Sequence, residues 1–299
     1  NDAQRKALAA MPGLDAALPP EKLLSALLDR HGPGRVIFRN TRASMSGFPG
    51  RQAHLTPLVP DRDAAEWMTH AQKEFASDTG ASEPSDKFKL NYDPRIAWLG
   101  RLLHELGEEK VLLICRSREK ALAIEKAVAR QVPVKTAVFH EDLTLVQRDR
   151  NAAWFAEPDG ARLLICSEIG SEGRNFQFVH HLVLFDLPLN PELLEQRIGR
   201  LDRIGQTQTI NVHAPYLKGS PQEVLARWYH EGLNAFESNL QGANQLLQKF
   251  GDEVLALAAD YTDAKQLDEL ISATSTAHAE IAQQLEQGRD RLLELNSHR

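Results

Sequence analysis

A chain of 299 residues with 42% hydrophobic and 25% charged side chains can bury a sizeable core, which excludes a disordered polymer and fits one main domain with appendages. Acidic residues (41) outnumber basic ones (35), and the formal net charge of −6 excludes a grip on nucleic acid through bulk positive potential, so any such contact has to be local and salt-sensitive. Cys115 and Cys166 each lie inside an apolar run and read as buried free thiols in a reducing cytoplasm, while the polar start Asn1-Asp-Ala-Gln-Arg-Lys6 is no signal peptide and no apolar stretch reaches the length of a membrane span.

In chain order, Glu21 to His31 reads as a helix and Arg35 to Arg39 as a strand, with Gly32, Pro33 and Gly34 between them. Ser77 to Asp93 is rich in Ser, Asp, Gly, Pro and Lys and reads as a flexible linker or a trimmed insertion. Strand and helix then alternate. Strands are expected over Val111 to Arg116, Val134 to His140, Arg162 to Ser167, His181 to Asp186 and Thr209 to Tyr216, and helices over Arg118 to Arg130, Thr144 to Ala156 and Pro191 to Ile204. Helices of this length between strands require crossover connections, hence an α/β fold with a largely parallel sheet covered on both faces. Beyond Tyr216 long amphipathic helices take over. Val224, Leu225, Trp228, Leu233 and Phe236 are expected to cover the sheet, and an interrupted heptad from Leu267 through Ile271, Thr274 and His278 is expected to pack back on the domain.

Parallel sheets carry their functional loops at the carboxyl ends of strands, and candidate residues cluster there. Arg116 and Ser117 follow the first of these strands, although Ser117 before Arg-Glu-Lys also reads as a helix N-cap. His140 ends the next strand. After Ser167, Gly170 and Gly173 flank Ser171 and Glu172, and glycines let backbone amides approach a phosphate or ribose; a simple turn is the plainer alternative. Gln196-Arg-Ile-Gly-Arg-Leu-Asp-Arg-Ile-Gly-Gln206 sets three arginines at intervals of three. At helical pitch Gln196, Arg200 and Arg203 share one face and Leu194, Ile198 and Leu201 the other, so one side is core and the other a cationic comb suited to a multiply charged phosphate, unless Glu195 and Asp202 neutralise it. His180 and His181 open an apolar strand and read as structural. With no paired cysteine spacing, no His-Glu-x-x-His and no Gly-x-Ser-x-Gly, no catalytic metal is expected on this chain.

The segment QRIGRLDRIGQ resembles motif VI of the Swi/Snf-type ATPases in helicase superfamily 2, closest to their bacterial RNA-polymerase-associated branch. Leu163-Leu-Ile-Cys-Ser-Glu-Ile-Gly-Ser-Glu-Gly-Arg-Asn-Phe-Gln177 resembles motif V, and Phe139-His-Glu-Asp-Leu-Thr with Gln147-Arg148-Asp149-Arg150 resembles the motif between, with Asp142 where the family usually has glycine. The resemblance implies a RecA-like fold of P-loop NTPase type, with Arg200 and Arg203 as arginine fingers on the terminal phosphate of ATP. It implies nucleotide contacts for Gly170, Glu172, Gly173, Arg174 and Gln196, and nucleic-acid contacts for Arg116, Ser117, His140 and Ser167. The sequence has no Gly-x-x-x-x-Gly-Lys-Ser/Thr loop and no Asp-Glu-x-His pair, so ATP with Mg2+ is expected to be held mainly by a first RecA-like lobe absent from it.

Domain limits follow as residues 1–76 for the end of lobe one and the inter-lobe connection, 77–93 for the linker, 94–217 for the RecA-like lobe and 218–299 for the helical extension. The implied function is the second motor lobe of an ATP-dependent, helicase-like translocase on double-stranded DNA that remodels or recycles RNA polymerase, inactive as an isolated chain. The alternative is an autonomous module that holds polymerase or nucleic acid without turning over ATP. A small-molecule enzyme is disfavoured, because no dinucleotide fingerprint follows the first strand.

Overall fold

The computed structural model describes residues 50–60, 64–82, 88, 90–168, 176–203 and 205–297. The helix expected at Glu21 to His31 and the strand at Arg35 to Arg39 lie outside them. The elements in order are β1 (Arg51–Leu58), α1 (Ala64–Asp78), α2 (Pro94–Glu105), β2 (Val111–Cys115), α3 (Arg118–Gln131), β3 (Thr136–Phe139), α4 (Leu145–Ala156), β4 (Leu163–Ser167), β5 (His181–Leu184), α5 (Pro191–Ile198), β6 (Ile210–Leu217), α6 (Pro221–Arg227), a π-helical turn Trp228–Gly232, α7 (Ala243–Ala259) and α8 (Ala264–Ser297). The strands form one sheet in the order β1-β6-β5-β2-β4-β3, and every pairing is parallel.

Alternation along the central strands divides the core between two faces. Leu112, Ile114, Leu164 and Cys166 point to a layer with Phe155 of α4, Leu194 and Ile198 of α5, and the carboxyl-terminal helices. Val111, Leu113, Cys115, Leu163 and Ile165 point to the other, against Ile96, Leu99 and Leu103 of α2 and Ile124 and Val128 of α3. Burial on both faces is why these strands read as unbroken apolar runs. Local signals fix the helix starts: Asp93 caps α2, Ser117 caps α3, Thr144 and Gln147 form a capping box on α4, and Asn190 caps α5. Both cysteines are free and buried.

Three features differ from the sequence expectations. Arg51–Leu58, assigned to the inter-lobe connection, pairs with β6 along its whole length as the edge strand of the sheet. The segment 77–93 is pinned at both ends, because Asp78 binds the fully buried Lys120 and Asp93 caps α2 while binding Arg95. The helix expected over Pro191 to Ile204 stops at Ile198. Gly199 closes it with its N–H on Glu195 O at 2.8 Å, and the following amides bond three residues back, Arg200 N to Arg197 O (3.2 Å) and Leu201 N to Ile198 O (3.1 Å). Glycine is a poor helix former, and Arg51 holds both Glu195 and Asp202, which fixes the turn against the sheet edge.

The carboxyl-terminal helices pack as expected. Val224, Leu225, Trp228, Leu233 and Phe236 are fully buried, as are Leu267 and Thr274 on the inner face of α8. The polar break in that heptad has a local cause: Thr274 Oγ1 accepts the indole N–H of Trp228 at 3.1 Å inside the core.

A row of histidines crosses the amino-terminal half of the sheet. His54 and His213 are register partners whose rings stack at 4.8 Å, and His181 Nδ1 lies 3.1 Å from His213 Nε2. Burial, with the neighbouring imidazoles, pushes His181 down to about 4 and His213 down to about 3. The unfolded chain takes protons at both rings as pH falls through about 6.5, while the folded chain resists until its own lowered values. Stability from these rings is therefore complete above about pH 6.5 and is lost below it, at up to about 1.4 kcal/mol per ring per pH unit. The urea midpoint should fall between about pH 7 and pH 5, and His213→Gln should flatten that fall. A midpoint unchanged by the substitution across that range would refute the assignment.

Candidate nucleotide and nucleic-acid site

The carboxyl ends of β2, β3 and β4 bring four of the expected residues, Arg116, Ser117, His140 and Ser167, to one edge. Arg116 is exposed after β2, and its amide donates to Asp186 Oδ2 at 3.0 Å. Ser117 Oγ accepts the Lys120 amide at 3.3 Å, so its hydroxyl serves as the cap of α3. His140 follows β3 half-buried, and burial lowers its pKa. Ser167, at the end of β4, is buried and donates to Glu141 Oε2 at 2.7 Å, which ties the two strand ends together. Asp142, the departure from the family pattern, is paired with Arg118, so its carboxylate does not stand uncompensated toward the edge. Gly170, Glu172, Gly173 and Arg174 lie outside the described residues.

Beneath this edge is a buried ion network that sequence reasoning missed. Asp186, two residues past β5, accepts Lys120 Nζ at 2.6 Å and Arg197 NH1 at 3.1 Å. Lys120 also reaches Asp78 at 2.5 Å and Glu74 at 2.8 Å, and Arg197 binds Glu168 at 2.5 Å and the Asp186 carbonyl at 2.6 Å. Arg95 completes it with Glu74 and Asp93, each at 2.7 Å, and lies over the Phe185 ring. Burial would raise the Glu74 carboxyl, yet Arg95 and Lys120 hold it at about 2. Burial would likewise raise Asp186, which Lys120 and Arg197 keep well below the usual carboxylate range. Asp78 goes the other way: burial, aided by Asp186 and Glu74, pushes it up against Lys120. Five carboxylates (Glu74, Asp78, Asp93, Glu168, Asp186) share three cations (Arg95, Lys120, Arg197), and Asp78 is the acid that takes up the imbalance.

Glu74, Asp78 and Asp186 are close enough to ligate one divalent ion. Lys120 Nζ already lies within 2.8 Å of all three carboxylates, so this trio does not fit magnesium. A cavity of about 190 Å³ beside it, lined by Phe75, Asp78, Arg116, Asp186, Asn190 and Leu247 among others, is smaller than the ~300 Å³ at which ligand pockets begin.

The three arginines of the motif have different fates. Arg197 is fully buried and engaged by carboxylates, which raises its pKa against the effect of burial. Arg200 and Arg203 stand half-buried on the turn after α5, where Arg203 Nε donates to Gly199 O at 3.2 Å. Gln196 is exposed on α5, so it does not share a continuous helical face with the two arginines; the helix has ended before they begin. The acids that might have neutralised the comb, Glu195 and Asp202, both bind Arg51 of β1, at 2.8 and 2.6 Å. Gln206 is buried and donates to the Val179 carbonyl, a structural role. One signal for the network was available: Lys120 shares the helix face of Ala121, Ile124, Ala127 and Val128, all buried, and a lysine there has to find buried carboxylates.

Residues 94–205 match the helicase conserved C-terminal domain family, and residues 209–299 match the C-terminal family of RNA polymerase recycling proteins. The RNA polymerase-associated protein RapA of Pseudomonas putida is 49% identical over 281 residues, which cover 92% of this chain and 30% of that protein. Its counterpart in Klebsiella pneumoniae is 44% identical over 306 residues, covering 95% of this chain and 31% of that protein. Among solved structures, the Sulfolobus solfataricus SWI2/SNF2 ATPase core in complex with dsDNA superposes with a TM-score of 0.47 at 16% identity, covering 72% of this chain and 51% of that one, a likeness too loose to argue from. By fold and family match, the chain is a RecA-like helicase C-terminal lobe carrying a helical extension. It belongs to the RapA family, and it spans about 30% of the length of the curated relatives it matches. Among the described residues no helix is long and apolar enough to cross a membrane.

Proposed function

We propose that this chain is the second motor lobe of an ATP-dependent translocase that acts on double-stranded DNA and on RNA polymerase, with Arg200 and Arg203 reaching the terminal phosphate of ATP bound by a first lobe. The observation that carries it is the unequal treatment of the motif arginines: Arg197 is locked into Asp186 and Glu168, while Arg200 and Arg203 sit half-buried on the turn that follows α5. Guanidinium groups held at the rim of a RecA-like lobe suit a phosphate arriving from a facing lobe. Mg2+ and the phosphate cradle belong to that facing lobe, since among the described residues the carboxylate trio at this edge is filled by Lys120. ATP supplies the phosphoryl group to be transferred, and this chain's part is to stabilise its developing charge and to couple closure to the track through Arg116, His140 and the segment after Ser167. The boundaries that fit this reading start the lobe at β1 and let the extension begin at α6. RNA polymerase as partner rests on the names of the relatives and on the family match over 209–299.

The test is ATP hydrolysis by the full-length protein with and without duplex DNA, beside the isolated chain. Stimulated turnover by the former and background turnover by the latter is the expected result. Turnover by the isolated chain would overturn it. A second reading, a polymerase-holding module that makes no use of ATP, is favoured by the extension, whose Trp228, Tyr229 and Phe236 share the core of the lobe. Polymerase capture that survives charge reversal of Arg200 and Arg203, in a protein whose hydrolysis does not need them, would support that module instead.

A further inference from the structure

The amino-terminal edge of the sheet, opposite Arg116, His140 and Ser167, holds a second cluster of donor groups. Glu109 lies in the turn before β2, His180 immediately precedes β5 and His181 is its first residue; the register sets His181 beside Val111. His180 Nε2 is 3.6 Å from Glu109 Oε2, the rings of His180 and His181 are 4.5 Å apart, and one donor atom from each of the three residues can lie within 4.8 Å of the others. The acidic trio at the other edge contains its own cation in Lys120, but among the described residues Glu109 pairs with no lysine or arginine.

The inner ring is oriented by the residues behind it. His181 Nδ1 meets His213 Nε2 at 3.1 Å, His213 stacks on His54, and His54 Nε2 meets Asn211 Oδ1 at 2.9 Å. With Nδ1 engaged, Nε2 is the nitrogen of His181 left for an incoming ion. A second partner on the far ring nitrogen is the usual way proteins fix a ligating imidazole. Glu109 is exposed, so an ion has access and the carboxylate has room to move.

We propose that Glu109, His180 and His181 form a binding site for one divalent transition-metal ion, with zinc the best match to two imidazoles and a carboxylate. Bonds of about 2.0–2.1 Å in a tetrahedral site set neighbouring ligand atoms about 3.4 Å apart, so the His180–Glu109 separation of 3.6 Å is nearly right and the others, all within 4.8 Å, close by at most about 1.4 Å. Three protein ligands leave a fourth position for water. The ion would staple the start of β5 to the turn before β2, away from the carboxyl ends of the strands.

The test uses the untagged 299-residue chain, titrated with Zn2+ by calorimetry and with Co2+ by visible absorption. One equivalent of Zn2+ at micromolar affinity, and a Co2+ band of tetrahedral intensity, are expected. Glu109→Gln and His180→Gln should each weaken binding at least about tenfold, while His104→Gln, an exposed histidine elsewhere, should leave it unchanged. Both test positions reach solvent, and Zn2+ should raise the melting temperature of the parent chain but not of the doubly substituted one. Binding no tighter than about millimolar, or retained when both residues are replaced, overturns the site.

Discussion

Replacing Arg200 or Arg203 by alanine in the full-length protein is expected to lower kcat for ATP hydrolysis by about 10³ to 10⁵, the range that arginine fingers supply to phosphoryl transfer. That is about 4 to 7 kcal/mol of transition-state stabilisation. The substrate phosphate already carries its charge in the ground state and is cradled by the other lobe, so affinity for ATP should change only a few-fold, roughly. Lysine at either position restores charge without the planar fork and should recover only part of the rate. Stability separates this role from a structural one. Both side chains are half-buried on a turn, and their removal should shift unfolding by about 0.5 kcal/mol or somewhat more, Arg203 the greater because it bonds Gly199 O. Steady-state hydrolysis and nucleotide affinity in the same preparations check this; kcat within about tenfold of the parent for both variants would sink the finger assignment.

How much of this was legible follows from where each residue is buried. Val111–Cys115 and Leu163–Ser167 read correctly because strands covered on both faces become continuous apolar runs. Arg51–Leu58 did not, because an edge strand with one partner keeps mixed burial, and its Arg51, Gln52, His54 and Thr56 mask the period. Helix α2 carried its signal openly, Asp93 as N-cap with Pro94 at the first position, but its run adjoins a polar segment that drew attention instead. At the site, spacing identified the arginine motif and not the fate of its members. Three-residue spacing assumes one continuous helix, and the chain leaves the helix at Gly199, so Arg197 turns inward to Asp186 and Glu168 while its two successors lie on the turn that follows. The carboxylates that decide this come from residues 74, 78, 168 and 186, far apart in the sequence, and no local pattern encodes their meeting.

Arg197→Met should unfold far more easily than either finger variant. The substitution keeps apolar length but leaves Asp186 with Lys120 and the Arg116 amide, and takes Arg197 away from Glu168. Breaking a buried ion pair from one side costs about 3–5 kcal/mol, a large part of the 5–15 kcal/mol that holds a typical domain. Lys120→Met separates electrostatics from packing more sharply. Without the ammonium, Glu74 keeps Arg95 and Asp186 keeps Arg197, but Asp78 loses the cation it binds, and burial with the neighbouring carboxylates raises the folded pKa values of the trio, that of Asp78 furthest above its unfolded value. The folded variant then binds more protons than the unfolded one, so its stability is lost as pH rises through those raised values and recovers on acidification. The parent leans the other way: Asp78 is already raised, but the two neutral rings His181 and His213 outweigh it below about pH 6.5, the depressed Glu74 and Asp186 add to them at lower pH, and acid weakens it. Urea midpoints for the two proteins should therefore converge between about pH 8 and pH 5, with the variant weaker by several kcal/mol at the alkaline end. Parallel curves across that range would mean that Lys120 contributes volume rather than charge, and the network would lose its place as the foundation under the carboxyl ends of the strands.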